Sequence, residues 1–144
     1  MSLTTPTVGA VLEPRTYAIT RADLVAYATA SGDDNPIHQD EAVALAVGLP
    51  GVIAHGMYTM GLMAHAVRAW FPTAEVREIG SKFTHPVVVP ADGAVEIEVS
   101  GTVKKVEDDP EDPARVHVSL ALLVTCEGTK VLGMPKALLA VPRG

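Results

Sequence analysis

The sequence has only one cysteine and few basic residues, and these shortages exclude several classes of protein. Its 144 residues include 11 Lys and Arg against 17 Asp and Glu, a formal net charge of -6. A nucleic-acid surface needs clustered positive charge, so we expect no nucleic-acid partner. Cys126 has no second cysteine with which to form an internal disulfide. We expect it to be a small core residue in a protein of the reducing cytoplasm.

The sequence also lacks a recognisable targeting or membrane segment. The first ten residues, MSLTTPTVGA, have neither a basic nor an apolar stretch, so we expect no signal peptide. Residues 42–67 contain no Asp, Glu, Lys or Arg, but glycines and a proline interrupt them, which argues against a membrane helix. With 48% hydrophobic residues, the chain is predicted to fold as one domain over residues 1–144, without a membrane partner.

Several signatures of cofactor and metal chemistry are missing as well. The glycines at 51, 56 and 61 fit neither G-x-G-x-x-G nor a phosphate loop, and no lysine follows the last of them. The five histidines form no H-E-x-x-H pattern, and no G-x-S-x-G segment is present. We therefore expect no phosphate loop, no metal and no serine nucleophile.

The first half of the chain carries helix signals. A short strand at 15–19 leads to a helix that Thr20 caps, with Asp23 in the capping-box position and Gly32 as its stop. A second, short helix is predicted over 40–48.

The longest predicted helix runs from Gly56 to Trp70 and ends before Pro72. It is apolar nearly all round, which predicts that it is enclosed by the rest of the fold.

The second half is rich in β-branched residues that roughly alternate with polar ones. This pattern predicts strands at 76–84, 94–106, 114–128 and 130–141. The acidic segment 107–114 is interpreted as a solvated hairpin tip without function. Helices followed by an antiparallel meander predict an α+β domain whose sheet covers one buried helix.

The loop SGDDNPIHQD, residues 31–40, has two interpretations. As a plain turn, Gly32 ends a helix, Asp34 and Asn35 make side-chain turns, and Pro36 fixes the exit.

As a catalytic loop, Asp33 and His38 flank a rigid Asn-Pro and form an acid–base pair. The free N–H groups at the start of the helix near Gly56 would then receive an oxyanion. Together these groups suit proton chemistry next to a carbonyl.

Residues 27–40, YATASGDDNPIHQD, resemble the hydratase-2 motif Y-x-x-x-S-G-D-x-N-P-x-H-x-D of MaoC-like (R)-specific enoyl-thioester hydratases and dehydratases. The segments GVIAHGMYTMGL and SKFTHPVVVPADG resemble two further segments of that family. The likeness extends from about residue 9 to residue 140. The GVIAHGM segment brings the chain near the B-type catalytic subunit of actinobacterial (3R)-hydroxyacyl-ACP dehydratases.

The resemblance implies a hot-dog fold, in which a long central helix is wrapped by an antiparallel sheet. It implies reversible addition of water to a trans-2-enoyl thioester of CoA or acyl carrier protein (ACP), giving the (3R)-hydroxyacyl product in fatty-acid metabolism without a cofactor. It also implies a dimer, formed either with a second copy or with a different hot-dog subunit.

By the same resemblance, Asp33 and His38 are the catalytic pair, Asn35 helps to fix the pair and the water, and the Gly56 N–H binds the thioester oxygen. Met57 and Phe83 are candidates for lining the acyl site.

Other residues near these motifs have weaker claims to function. For Tyr58 and Met60, as for Met57 and Phe83, core packing is the simpler expectation. His55 is expected only to hydrogen-bond locally. Three lysines are candidates for contacting CoA phosphates or an acidic carrier, although exposed strand edges explain them equally well: Lys82, Lys104 and Lys105.

Two other functions are compatible with the same fold. A hot-dog acyl-CoA thioesterase usually carries a carboxylate on the central helix, and residues 56–70 contain none. A non-catalytic acyl-binding subunit would be expected to lack Asp33 or His38, and this sequence has both.

Overall fold

The structure is a computed structural model that describes residues 5–143. Its helices and strands follow in the order β1 Val11–Ile19, α1 Arg21–Ser31, a short 3-10 helix Pro36–His38, α2 Glu41–Ala46, α3 Gly56–Trp70, β2 Glu75–Phe83, β3 Val95–Asp108, β4 Arg115–Cys126, β5 Thr129–Lys130 and β6 Leu132–Pro142. Within these residues, no helix has the length and apolarity needed to cross a bilayer.

The strands form one antiparallel sheet in the order β1–β3–β4–β6–β2, and the short β5 pairs with the end of β4. This is the α+β architecture that the sequence patterns predict, and it agrees with the hot-dog fold that the resemblance implies. The observed strands differ from the predicted ones in two places. β1 begins at Val11, four residues earlier than expected, and the predicted strand at 130–141 is divided between β5 and β6.

The inner face of the sheet carries the core. Residues of β4 alternate between the two faces, and the inner set is buried: Val116, Val118, Leu120, Leu122, Val124 and Cys126. Matching residues of β3 and β6 and one stripe of α3 join them in a single cluster. Because burial of each valine or leucine side chain contributes about 1.5–3 kcal/mol, this face holds helix and sheet together.

Helix α3 begins and ends where the sequence predicts, but it is not enclosed on all sides. Its buried stripe consists of Thr59, Met63, Ala66 and Val67. Residues on the other side are exposed, among them Met57, Gly61 and His65. The expectation of full enclosure is therefore wrong for the single chain, because the sheet covers the helix from one side only.

Helix α1 is closed at both ends by the predicted signals. The Asp23 N–H donates to the Thr20 hydroxyl at 3.2 Å, and the Thr20 N–H donates to the Asp23 carboxylate at 2.8 Å. Gly32 ends the helix with φ 80°, in the left-handed region that favours glycine. This turn directs the chain into the loop that carries Asp33 and His38.

The two edges of the sheet are built differently. In β1, the pairing register with β3 shifts between Leu12 and Arg15, and Pro14 lies in that shift. The indole N–H of Trp70 donates to the Glu13 carbonyl at 2.8 Å and anchors the irregular segment to α3. β2, at the opposite edge, contains no proline.

The acidic hairpin tip at 107–114 is not fully solvated, contrary to expectation. Asp109 is only 5% exposed and accepts a hydrogen bond from the Glu111 N–H at 2.9 Å. Its other carboxylate oxygen lies 3.4 Å from His117 Nε2 and 3.8 Å from Arg77 Nη2. The backbone hydrogen bond from Glu111, followed by the electrostatic effect of His117 and Arg77, lowers the pKa of Asp109. The tip therefore folds back against the strands and is part of the structure.

Candidate active site

A cleft of about 460 Å³ lies between the loop after α1, the start of α3 and the chain that follows β2. Five of the six predicted site residues line it: Asp33, His38, Gly56, Met57 and Phe83. Apolar side chains close the remaining walls, among them Ile53, Val87, Val131 and Leu132. The cleft thus has the apolar lining and few polar groups that are typical of a small-molecule site.

His38 is held in a defined protonation pattern. It lies at the end of the 3-10 helix, is 7% exposed, and its Nδ1 is 2.7 Å from the Ile53 carbonyl oxygen. Because a carbonyl only accepts hydrogen bonds, Nδ1 must carry the proton. The neutral ring therefore keeps Nε2 as an unprotonated nitrogen, which is what a general base requires.

Asp33 is placed by short-range hydrogen bonds of its loop. Its N–H donates to the Ser31 hydroxyl at 3.1 Å, and its carboxylate accepts from the Asn35 N–H at 3.4 Å. The residue is exposed in the single chain. The loop therefore presents the Asp33 carboxylate at the cleft without burying it.

Asn35 is the one predicted site residue outside the lining of the cleft. It is exposed, and its side-chain oxygen accepts from the Ile37 N–H at 3.2 Å, which caps the 3-10 helix that carries His38. Its backbone N–H also donates a hydrogen bond to the Asp33 carboxylate. In this structure Asn35 shapes the loop, and a contact with water or substrate stays a prediction.

The start of α3 offers unpaired N–H groups at the cleft. The N–H groups of Tyr58 and Thr59 bond to the His55 carbonyl, and the His55 side chain makes no capping bond. Within residues 5–143, the N–H groups of Gly56 and Met57 are left without a partner. A helix start of this kind favours a developing negative charge.

Gly56 is in close contact with the Phe83 ring. A Cβ atom at this position would lie 2.8 Å from Cε1 of the Phe83 ring. The segment before α3 is fixed next to the chain after β2, because the Ala54 N–H donates to the Val87 carbonyl at 2.9 Å. Glycine therefore allows Phe83 to lie directly against the helix start.

The expectation of core packing fails for two of the four apolar candidates. Met57 and Phe83 are each 57% exposed and line the cleft, whereas Tyr58 and Met60 are partly buried against the core. The three candidate lysines are exposed and do not line the cleft. Lys105 forms a salt bridge with Glu107, with Nζ and Oε1 2.8 Å apart, as expected for a solvated strand edge.

His55 has a larger part in the site than the local hydrogen bonding that its sequence position predicts. This side chain is 1% exposed, and its Nε2 is 3.0 Å from the Asp33 carbonyl, 22 residues away. Its ring stacks on that of His38 with centroids 3.8 Å apart and an angle of 25° between the planes. The only sequence signal was its position directly before Gly56. Burial lowers the pKa of His55 below its ordinary value.

The distances around Asp33, His38 and His55 raise the question of a metal. One possible ligand atom from each residue lies within 4.8 Å of the others. Imidazole nitrogens bind metals along lone pairs that lie in the ring plane. The two rings are stacked, with centroids 3.8 Å apart and 25° between their planes, so their in-plane lone pairs are poorly directed toward one ion at the usual distance of about 2.0–2.1 Å. The arrangement suits proton chemistry better than metal binding.

The buried His55 predicts a pH-dependent stability. Its pKa in the folded state lies below the ordinary value of 6.5, so as the pH falls the unfolded chain takes up this proton first. The free energy of unfolding should therefore decrease as the pH falls below about 6.5. Urea unfolding at about pH 7.5 and pH 5.5 measures the change, and His55→Phe should show a smaller one. An identical change in both proteins would contradict the prediction.

Solved structures similar to this chain are hot-dog proteins. The R-hydratase PhaJ1 from Pseudomonas aeruginosa is 27% identical, with a TM-score of 0.79 and coverage of 96% of this chain and 83% of that one. The ChsH1-ChsH2 complex from Mycobacterium tuberculosis is 21% identical, with a TM-score of 0.79 and coverage of 96% and 100%. At that identity the second similarity shows the fold alone.

Two curated relatives carry dehydratase names. The 3-hydroxyacyl-thioester dehydratase X of Mycobacterium tuberculosis is 41% identical over 73 residues, which are 51% of this chain and 25% of the relative. The chain thus spans a quarter of that protein's length. The 3-hydroxybutyryl-CoA dehydratase of Methylorubrum extorquens is 31% identical over 128 residues, 87% of this chain and 74% of the relative. The model of the MaoC like domain matches residues 4–119, and the chain belongs to this family.

Proposed function

We propose that the protein is a hydro-lyase that adds water to trans-2-enoyl thioesters, or removes it from (3R)-hydroxyacyl thioesters, of CoA or ACP. The observation that carries the proposal is that Asp33, His38 and Gly56 line one cleft although they come from separate segments of the chain. The dehydratase names of the two curated relatives support the same reaction class.

The helix start supplies the electrostatic part of the reaction. The thioester oxygen accepts a hydrogen bond from the Gly56 N–H, which has no partner among the described residues. Because negative charge builds up on this oxygen as water attacks C3, the helix dipole and the N–H stabilise the transition state more than the ground state. The apolar walls of the cleft strengthen these interactions by lowering the local dielectric constant.

The Asp33–His38 pair supplies the proton transfers. The pair holds one water between the carboxylate and Nε2 of His38. In hydration the water gives a proton to the pair, its oxygen bonds to C3, and the pair returns a proton to C2 on the same face. The product gains one H and one OH, and dehydration reverses each step. The Ile53 carbonyl matters here, because it selects the tautomer in which the neutral ring carries its proton on Nδ1 and its lone pair on Nε2.

The alternative functions fit the structure less well. A thioesterase would need a carboxylate to activate water next to the carbonyl carbon, and α3 carries no Asp or Glu. A non-catalytic binding subunit would not need an acid and a base side by side, yet Asp33 and His38 both line the cleft. The site therefore favours hydration and dehydration.

We further propose that the active unit is a pair of hot-dog subunits joined along β2. β2 is an unpaired edge of the sheet, and an unpaired edge is suited to strand addition. Exposed apolar side chains lie on or beside it, among them Val76, Phe83 and Met57. A second subunit here, identical or different, would cover the open side of the cleft and exclude water from Asp33.

The direct test mixes the purified protein with crotonyl-CoA and follows the ultraviolet absorbance of the conjugated double bond. We expect the absorbance to fall as the double bond is hydrated and the product to be the (3R)-hydroxy thioester, which chiral chromatography identifies. The solution mass of the same sample shows whether the chain is paired.

Hydrolysis to free CoA, detected with a thiol reagent, would instead support the thioesterase alternative. Absence of both reactions with crotonyl-CoA and with longer CoA and ACP thioesters, in a paired sample, would contradict the proposal.

A further inference from the structure

His55 is the most buried polar residue among residues 5–143, at 1% exposure. It occupies the N-cap position of α3, where a side chain usually bonds to the first helical N–H groups, but it makes no such bond. Burying an imidazole costs free energy unless its polar atoms are compensated. The helix therefore does not explain this residue, and its contacts in the site must.

The ring of His55 contacts both members of the proposed catalytic pair. Its Nε2–H donates to the backbone carbonyl of Asp33 at 3.0 Å. One face of the ring stacks on His38 at 3.8 Å, and the Tyr27 ring packs against it at 4.7 Å. The backbone of His55 leads directly into Gly56. One side chain therefore connects the acid loop, the base and the helix start that is proposed to bind the thioester oxygen.

Two further long-range hydrogen bonds hold the His38 end of the loop: the Ile53 N–H donates to the Ile37 carbonyl at 3.3 Å, and His38 Nδ1 donates to the Ile53 carbonyl at 2.7 Å. The hydrogen bonds of Ser31, Asp33 and Asn35 within the loop join residues two or three positions apart. Such bonds set the shape of the loop but not its position relative to α3. The His55 bond spans 22 residues and is suited to fixing the Asp33 end of the loop, which the Ile53 bonds do not reach.

The remaining nitrogen of His55 indicates that the ring does not exchange protons with substrate. Nδ1 is buried and has no hydrogen-bond partner, and His55 does not line the cleft. Burial lowers its pKa and so favours the neutral ring. A neutral ring beside His38 adds no charge that would oppose the proton which His38 takes up during the reaction.

We propose that His55 is a positioning residue that holds the Asp33 backbone and the His38 ring in register with the start of α3. The inference rests on the hydro-lyase function proposed above and adds a role that lies outside the catalytic pair. Displacement of a reacting group by about 1 Å can cost a factor of about 10² in rate. Loss of the Nε2 donor should accordingly lower kcat by about 10–100-fold and change KM little.

Two substitutions separate positioning from simple core packing. His55→Phe keeps a flat ring for stacking but has no donor for the Asp33 carbonyl. His55→Gln loses the ring, yet its amide N–H reaches about the place of Nε2. If only packing matters, the phenyl ring should be tolerated better than a buried amide. Positioning predicts the opposite order for kcat, with His55→Gln recovering a substantial part of the activity that His55→Phe loses.

The matched control is His65→Phe, an exposed histidine on the same helix, which should leave kcat unchanged. Melting temperatures of all four proteins show whether each is folded at the assay temperature. Equal or higher activity of His55→Phe relative to His55→Gln would overturn the proposal. A loss beyond about a thousandfold in both variants would also overturn it, because it would assign His55 a proton-transfer role.

A second measurement does not depend on turnover. Hydrogen exchange of the His38 and Gln39 backbone amides reports how firmly the loop is held. We expect faster exchange in His55→Phe and near-normal exchange in His55→Gln. Unchanged exchange in both variants would refute the positioning role, whether or not the protein has hydratase activity. If the wild-type protein is inactive but the exchange pattern is the expected one, the result contradicts the hydro-lyase function alone.

Discussion

Asp33→Asn and His38→Ala are each expected to lower kcat for crotonyl-CoA hydration by a factor of about 10²–10⁴. The amide of Asn cannot take or return a proton at neutral pH, and alanine removes the base that the Ile53 carbonyl holds in its reactive form. Because both residues handle the same water, their effects should not add, and the double variant should be hardly slower than the worse single one. Steady-state kinetics on the three variants measures this.

Asp34→Asn is the matched control for the acid. Asp34 is the neighbouring exposed carboxylate and does not line the cleft. The same change in charge at this position should leave kcat within about two-fold of wild type, because it is a surface change away from the reacting groups. The melting temperatures of Asp33→Asn and Asp34→Asn should be similar. Wild-type turnover in both Asp33→Asn and His38→Ala would show that the mechanism is wrong.

Gly56→Ala is expected to lower kcat/KM by about 10–100-fold while the protein stays folded. The added methyl carbon would lie 2.8 Å from Cε1 of Phe83, well inside contact distance. Phe83 is exposed, so its ring can turn away instead of unfolding the chain, but it then moves within the cleft. A shifted ring or a displaced N–H at the helix start misaligns the thioester, and small displacements have large effects on rate.

The double variant Gly56→Ala/Phe83→Ala tests this explanation. Removing the ring removes the clash, so part of the activity lost in Gly56→Ala should return, relative to Phe83→Ala alone. Such coupling is expected for residues in direct contact. Gly61→Ala is the control on the same helix, because a Cβ there meets nothing within 4 Å. It should leave activity unchanged, and additive losses at positions 56 and 83 would rule out the proposed clash.

Local signals account for most of the fold that was predicted. Helix α1 begins after the Thr20 cap and ends at Gly32, and α3 ends shortly before Pro72. These signals all act within a few residues. Strand alternation predicted β2, β3 and β4 to within a few positions. The burial of Asp109 was missed because the residues that surround it, Arg77 and His117, come from other strands.

The candidate site likewise has residues that local signals predict and contacts that only the folded structure reveals. Asp33 and His38 were recognisable because the motif is contiguous, and Gly56 because it begins a helix. Tertiary packing brings these residues into one cleft. From the sequence, this arrangement was expected only through the family resemblance. The His55 contact to Asp33 spans 22 residues, and no local pattern distinguishes such a histidine from an ordinary helix-capping residue.

The unequal edges of the sheet bear on how large an assembly can grow. If both edges accepted another strand, subunits would add head to tail and form open fibres. Pro14 lacks an N–H and interrupts the ladder of β1, so this edge is a poor template. β2 contains no proline, although its register with β6 shifts between Val76 and Glu78 and again between Gly80 and Lys82. In the pair proposed above, joining through β2 would leave the two β1 edges outward, and Pro14 would make each of them a poor site for a third chain.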